Sequence, residues 1–272
     1  MSKFHKLGVV GSPIEHSLSP FIHSRFARNE KINLEYLPYK IESDEFVIFI
    51  RDFFKDKDSK GLNITLPYKQ NASLLEGEKP LEINFINSAN TIHKINNKLY
   101  IHSTDGMGFI EDFNKKKLIL SNKNILIYGA GGAVESILFQ IINEKPKSIT
   151  IINRTPSKVT KISKNYKKLF KISKINDIDE NTKFDVILNG TSVTNNDMGY
   201  MQNISFNKGA VFYDLNYSLD ETPFCKWAKS FSDNIHDGIG MLVYQAAYSF
   251  EIWFNVMPET KLILNEINEM KK

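Results

Sequence analysis

The sequence predicts an α/β fold in two domains, and three observations predict it. Apolar runs of strand length alternate with segments of helical period along most of the chain, the pattern of mainly parallel sheets. The 272 residues suit either one α/β domain or two smaller ones. The texture then changes after Asp105, so residues 1–106 with 239–272 are assigned to one domain and 107–238 to the other.

The elements follow in order. "KLGVVG" reads as a first strand, leading through "SPIEHSLSP" into a helix that Ser19 can cap, with Pro20 at its first position. "LEYLPYKI" is the next strand. "SDEFVIFIRDFFKD" is a helix with Phe46, Ile50 and Phe53 on one face and acidic residues in its first turn. "GLNITLPYKQ" is a strand with Ile64, Leu66 and Tyr68 on one side and Asn63, Thr65, Pro67 and Lys69 on the other. A solvated edge strand and a ligand-facing row of donors both fit that alternation. In "ANTIHKINNKLYIHSTD", Asn96-Asn97 marks a hairpin turn. "GMGFIEDFNKKK" is a connecting helix. Strand–helix units follow in "KNILIYGAGGAVESILFQIINE" and "SITIINRTPSKVTKISKNYKK", then the buried strands "FDVILNGTS" and "GAVFYDLNY". The helices "GMLVYQAAYSFEIWF" and "ETKLILNEINEM" are expected to return to the first domain.

Composition narrows the class. Hydrophobic residues at 42% and charged residues at 24% are those of a globular protein. The net charge of +4 is slight, and Lys115–Lys117 and Lys167-Lys168 read as solvated helix faces, so no nucleic-acid partner is expected. Cys225 is the single cysteine, so there is no intrachain disulfide, and the six histidines show no paired metal-ligand spacing. The start "MSKFHKLGVVGSP" lacks a signal-peptide pattern, and the apolar stretch from Met241 to Met257 is interrupted by Gln245, Ser249, Glu251 and Asn255. A cytoplasmic protein without a membrane partner is the expectation.

"YGAGGAV" lies between an apolar strand and a helix, where a dinucleotide fingerprint belongs. Gly129 permits the tight turn and Gly131 lets backbone N–H groups approach a pyrophosphate at a helix N-terminus. The pattern departs from G-x-G-x-x-G/A at Val134. The next strand ends in Asn153, Arg154 and Thr155, where folds that prefer NAD carry a carboxylate; a guanidinium there can bind a 2′-phosphate and stack on adenine, and Lys158 adds charge. An NADP-binding Rossmann-type domain is therefore predicted.

Polar groups without an evident folding task recur elsewhere: Ser17 and Ser19 in "EHSLSP", Asn90 in "SANT", Asp105 in "HSTDG", and Gln245 inside an apolar helix. Capping explains Ser19, which leaves Ser17 unexplained; Asp105 alone would suit a turn or a cap. A buried amide at Gln245 needs partners.

Together, "GSPIEHSLSP", "NITLPYK", "SANT", "TDGMGF", "GAGGA", "NRT", "NGTS", "DLNY…TPF" and "GMLVYQAAYSFEIWF" resemble, in order and spacing, the shikimate dehydrogenases, from Gly11 to about Phe254. That resemblance implies reversible reduction of 3-dehydroshikimate to shikimate with NADPH, on the route to aromatic amino acids. By the family pattern Ser17, Ser19, Thr65, Asn90, Asp105, Tyr217 and Gln245 surround the substrate, with Ser17, Ser19 and Tyr217 donating to its carboxylate. Gly129, Ala130, Gly131, Gly132, Ala133, Asn153, Arg154, Thr155, Lys158, Thr191, Leu215 and Gly238 surround the cofactor. Lys69 and Thr65 are then expected to face the cleft between domains.

The same resemblance implies Lys69 as general acid and base, assisted by Asp105, because hydride addition to a ketone develops an alkoxide that needs a proton. Ile101, His102 and Ser103 depart from the family pattern before the Thr-Asp pair, and Val134 departs in the glycine turn. Rival expectations are an NAD-dependent quinate or shikimate dehydrogenase and a non-catalytic NADP-binding sensor; Arg154 opposes the first, Lys69 with Asp105 the second. A monomer or a homodimer is expected.

Overall fold

A computed structural model describes residues 3–192 and 204–271. The chain divides into two compact units, one of Met1–Phe109 with Leu242–Glu266, the other of Ile110–Met241 with Ile267–Lys272.

In the first unit, β1 (His5–Gly11), α1 (Ser19–Asn29), β2 (Leu34–Lys40), α2 (Phe46–Phe53) and β3 (Ser59–Ile64) form two successive strand–helix–strand crossovers. Short helices α3 (Lys69–Leu74) and α4 (Ile83–Ile86) lead to the hairpin of β4 (Thr91–Ile95) and β5 (Lys98–His102). The sheet order is β2-β1-β3-β4-β5, parallel across β2-β1-β3 and antiparallel across β3-β4-β5. The reversal is local: Asn96 and Asn97 both take positive φ, 47° and 63°, as a tight two-residue hairpin turn requires. Val10, Leu62, Ile64, Ile92 and Ile101 pack with Phe46 and Ile50 of α2 into one core. Leu7, Val9 and Tyr36 pack with Trp253 into another. Gly61 permits the second contact, since a Cβ there would overlap the Trp253 indole, whose Nε1 donates to Ile92 O at 3.2 Å.

Three local expectations change. β3 stops at Ile64, so Thr65, Pro67 and Lys69 do not continue the face of Asn63; Tyr68 N–H closes a turn onto Thr65 O at 2.9 Å and Lys69 opens α3. Proline has no N–H for a ladder, which favours a turn there. β3 is interior, which removes the edge-strand alternative. Ser19 is the first residue of α1 rather than its cap; Leu18 holds the cap position without a side-chain bond, and Ser17 Oγ accepts the Ser19 N–H at 3.3 Å. The acids Asp44 and Glu45 precede α2, which starts at Phe46 with no acid in its first turn.

The chain passes along α5 (Asp105–Lys115) and enters a second series: β6 (Asn124–Tyr128), α6 (Gly132–Asn143), β7 (Ser148–Ile152), α7 (Pro156–Tyr166), β8 (Ile172–Lys174), β9 (Lys183–Asn189), β10 (Ser205–Asp214), α8 (Pro223–Ala228) and β11 (Ile235–His236). All described pairings in this sheet are parallel, in the order β11-β10-β9-β6-β7-β8. Read from the other edge, that is the doubly wound dinucleotide-binding order, which reverses between β6 and β9. Val134 fits because Gly190 faces it: a Cβ on Gly190 would overlap Val134 Cγ2. Leu126, Phe184, Ile187, Phe212 and Phe224 fill one core of this sheet. The chain closes with α9 (Ile239–Phe254) and α10 (Lys261–Met270); from Leu242 to Glu266 it belongs to the first unit.

Candidate active site

In the first unit four polar residues meet. Lys69 leads α3 and Asp105 leads α5, and Lys69 Nζ donates to Asp105 Oδ2 at 2.7 Å. Their side chains are 14% and 4% exposed, so the pair is shielded from the screening that makes surface ion pairs weak. Asn90 lies just before β4. Thr104 N–H, which can only donate, points at Asn90 Oδ1 at 2.7 Å and thereby fixes which way the amide faces. Asn90 Nδ2 then reaches Asp105 Oδ1 at 3.1 Å, Gln245 Oε1 at 2.9 Å and Thr104 Oγ1 at 2.9 Å. Gln245 is held in turn by Nε2 donating to Leu242 O at 2.9 Å.

Behind this group lies a buried layer around Asn63, which the sequence set in a candidate ligand-facing row and whose internal partners sequence reasoning missed. Asn63 Nδ2 reaches Asn90 O, Thr91 Oγ1 and Ser249 Oγ at 3.0–3.2 Å, and Asn63 Oδ1 accepts the Tyr36 hydroxyl at 2.7 Å. Thr91 and Ser249 share a hydrogen bond of 2.7 Å, and Thr104 and Ser249 one of 3.1 Å. The signal was available: Ser249 stands one helical turn after Gln245 in an otherwise apolar helix, and Thr91 and Thr104 adjoin Asn90 and Asp105.

The remaining substrate candidates are placed separately. Thr65, half-buried, follows β3, and its N–H donates to Val10 O at 2.9 Å. Ser19 is buried at the start of α1, where its N–H donates to Ser17 Oγ. Tyr217 belongs to the second unit, three residues beyond β10. Ile101, at one of the departing positions, is fully buried in the core; His102 stacks on His93 at 5.3 Å between ring centroids. Burial, then the neighbouring His102 and Lys60 charges, push the His93 imidazole down to about 4.

In the second unit a cavity of about 600 Å³ lies at the C-terminal ends of β6, β7 and β9. Gly129, Ala130 and Gly131 form one wall, Asn153, Arg154 and Lys158 another, and Gly190 with Thr191 a third. None of its described lining residues is acidic. Gly129 has φ +105°, and a Cβ there would stand 2.8 Å from Gly190 O, so the turn needs glycine for its own closure. Gly131 differs: a Cβ there would meet nothing within 4 Å. No internal contact asks for glycine at 131, whereas a close-approaching ligand would. Gly131 also precedes α6, whose free N–H groups favour an anion.

Asn153 Nδ2 donates to Thr155 O at 3.0 Å, which shapes the turn that exposes Arg154. Thr155 caps α7 by position, without a side-chain bond. Gly132 and Ala133 lie in the first turn of α6, while Leu215 and Gly238 contact each other: a Cβ on Gly238 would stand 2.5 Å from Leu215 O. Asn189, Asp214 and Asn216 were also missed. Asp214 Oδ1 accepts from Asn189 Nδ2 and from Asn216 N and Nδ2 at 2.8–3.0 Å; Asn189 Oδ1 accepts from Thr191 N and Oγ1. Burial pushes the Asp214 carboxyl up, against the pull of these donors and Thr222.

Family models for the shikimate dehydrogenase substrate binding domain, for shikimate / quinate 5-dehydrogenase and for the shikimate 5′-dehydrogenase C-terminal domain match residues 9–92, 112–214 and 238–267. The NADP(+)-dependent shikimate dehydrogenase of Vesicomyosocius okutanii is 39% identical over 97% of this chain and 99% of its own. This chain belongs to the shikimate dehydrogenase family. The Buchnera aphidicola (subsp. Cinara cedri) member is 38% identical, covering 97% of this chain and 95% of its own. The crystal structure of shikimate dehydrogenase from Aquifex aeolicus matches with a TM-score of 0.85 at 27% identity over 98% of both chains. A shikimate dehydrogenase crystallised with NADP+ matches at 0.84 and 28% identity, covering 100% of this chain and 98% of its own. The fold described above is thus that of an oxidoreductase family.

Proposed function

We propose that this chain catalyses the reversible NADPH-dependent reduction of 3-dehydroshikimate to shikimate, a step of aromatic amino acid biosynthesis. The observation that carries this reading is the shielded Lys69–Asp105 pair, joined through Asn90 to Gln245. Residues 1–106 with 239–272 serve as the substrate-binding and catalytic domain, and 107–238 bind NADP.

Lys69 is the general acid on reduction and the base on oxidation. Its ammonium hydrogen is directed by Asp105, which accepts at Oδ2 and leaves Oδ1 to Asn90. Asp105 cannot rotate freely, because Asn90 is itself oriented by Thr104. A ring hydroxyl next to the reacting carbon can accept from Asn90 or Gln245 and donate to Asp105. Ser17, Ser19 and Tyr217 donate to the substrate carboxylate, and Thr65 to a further hydroxyl.

The cavity in the second unit fits NADP(H) in its chemistry: an open cradle at Gly131 for a pyrophosphate, and Arg154 with Lys158 for a 2′-phosphate. Gly129 to Ala133, Asn153 to Thr155, Lys158, Thr191, Leu215 and Gly238 would hold it. When bound, this cofactor supplies the hydride that reduces the ketone.

The partners are small molecules. The enzyme works in the cytoplasm as a monomer or homodimer, without nucleic acid; among the described residues no helix is long and apolar enough to cross a membrane. An absorbance assay at the nicotinamide band tests the reading, with shikimate or quinate offered with NADP or NAD. Reduction of NADP by shikimate is expected to dominate. No turnover in any combination would sink it, and faster reaction with quinate and NAD would move the chain to the quinate branch.

A further inference from the structure

Asp112 is a buried carboxylate for which the scheme above has no use. It lies on α5 and is 2% exposed. The Tyr213 hydroxyl donates to its Oδ2 at 2.8 Å, and Lys116, just past the end of α5, pairs with its Oδ1. The carboxylate also presses on the backbone of Gly240, where a Cβ would overlap both Oδ1 and Cγ. A glycine inside a helix is disfavoured against alanine. Here the second residue of α9 is glycine because a carboxylate occupies the place of its side chain.

The turn that leads into α9 is held from other directions as well. Gly238 N–H donates to Asn216 O at 3.0 Å, and its Cα lies against Leu215 O too closely for a side chain. Asp237 Oδ1 accepts Ile239 N–H at 3.2 Å, while its Oδ2 pairs with Lys271 near the end of the chain. The turn is therefore pinned to the end of β10, to α5 and to the C-terminal tail. A carboxylate at the start of α9 also suits the positive end of that helix, and burial together with Asp112 pushes the Tyr213 hydroxyl well up, so it remains a donor.

We propose that Asp112 is a positioning residue for the dinucleotide: with Tyr213 it seats the Asp237–Gly240 turn against β10, so that Gly238 and Leu215 present one surface to the cofactor. This rests on the reading that Gly238 and Leu215 flank NADP(H). The substrate groups Lys69, Asn90, Asp105 and Gln245 make none of these contacts, so the effect should separate by ligand.

Calorimetric titration of NADP+ and of shikimate, with thermal melting as control, tests it. Asp112→Asn should weaken NADP+ binding about tenfold and leave shikimate binding within about twofold, within the range of measured couplings between contacting residues. Tyr213→Phe should act in the same direction and less. Gly240→Ala should weaken NADP+ binding, and Asp112→Ala in the same chain should restore part of that loss, because the Cβ then fills the vacated space. Unchanged NADP+ affinity in Asp112→Asn and Tyr213→Phe would overturn the proposal. So would parallel loss of both ligands with a lowered melting temperature, or a Gly240→Ala defect that Asp112→Ala deepens. Wild-type protein that binds no NADP+ would instead sink the functional reading itself.

Discussion

Lys69 and Asp105, 36 residues apart in the chain, meet at 2.7 Å because each is the first residue of a helix. Ala89 N–H donates to Lys69 O at 2.9 Å, which also ties the start of α3 to the loop that carries Asn90. Replacing Lys69 by alanine removes the proposed proton donor and leaves the Asn90 and Gln245 amides in place. Turnover is expected to fall by roughly 10²–10⁴, the scale of a general acid–base group. Shikimate affinity should stay within severalfold. Steady-state rates and a binding titration check both; near-wild-type turnover would remove Lys69 from its role.

Under the proposed reading, Arg154 is the residue expected to decide between the two nicotinamide dinucleotides. It is exposed at the cavity, and no acidic residue stands among the described residues lining that cavity. Arg154→Ala should raise KM for NADP by about 10- to 100-fold, as expected for lost hydrogen bonds to a charged group, with KM for NAD nearly unchanged. Equal losses for both dinucleotides would show that Arg154 contacts something other than the 2′-phosphate.

Gly131 is expected to separate binding from folding. A side chain there meets no protein atom within 4 Å, so Gly131→Val should leave the urea midpoint close to wild type while abolishing measurable NADP+ binding. Gly129→Val is the contrasting case, since φ +105° and the nearby Gly190 carbonyl oppose any side chain; it should destabilise the fold. A stable Gly131→Val protein that still binds NADP+ would argue against the cradle.

Acid stability should carry the mark of His23. This imidazole is fully buried, stacked on Tyr36 at 4.3 Å between centroids, and burial pushes it down to about 3. Unfolded, it titrates near its ordinary value of about 6.5. Between about pH 6.5 and 3 the unfolded chain therefore holds a proton that the folded chain refuses. The stability from neutral His23 is fully present above that window and is lost as pH falls through it, at a limiting slope of about 1.4 kcal/mol per pH unit. His23→Phe, which keeps an aromatic ring against Tyr36, should flatten the loss of urea midpoint between about pH 7 and pH 5. The comparison needs the variant because Glu135 and Asp214, whose carboxyls burial pushes up, act in the opposite sense. Parallel acid limbs for both proteins would place the effect elsewhere.

Much was legible in the sequence because it is written in local chemistry. Periodicity and turn residues marked the strand–helix alternation, Asn96-Asn97 marked the hairpin, and the glycine turn marked the start of α6. The family motifs named Lys69, Asn90, Asp105 and Gln245 before any contact among them was visible. Local rules failed where two of them competed. Ser19 has the chemistry of a cap, yet Leu18 holds that position and Ser17 serves the helix; the alternation in "NITLPYK" outran the strand by several residues because a turn at Thr65–Tyr68 intervened.

The amino-acid order by itself determined which stretches become strands and helices and where a dinucleotide turn lies, since those depend on neighbours within a few positions. Only the tertiary structure decided which polar groups share protons: Asn63 with Ser249, Asn90 with Gln245, Tyr213 with Asp112. Such pairs join residues 101 to 186 positions apart. Their partners are chosen by sheet order and helix packing, which bring a buried donor to its acceptor and make an unmatched one costly.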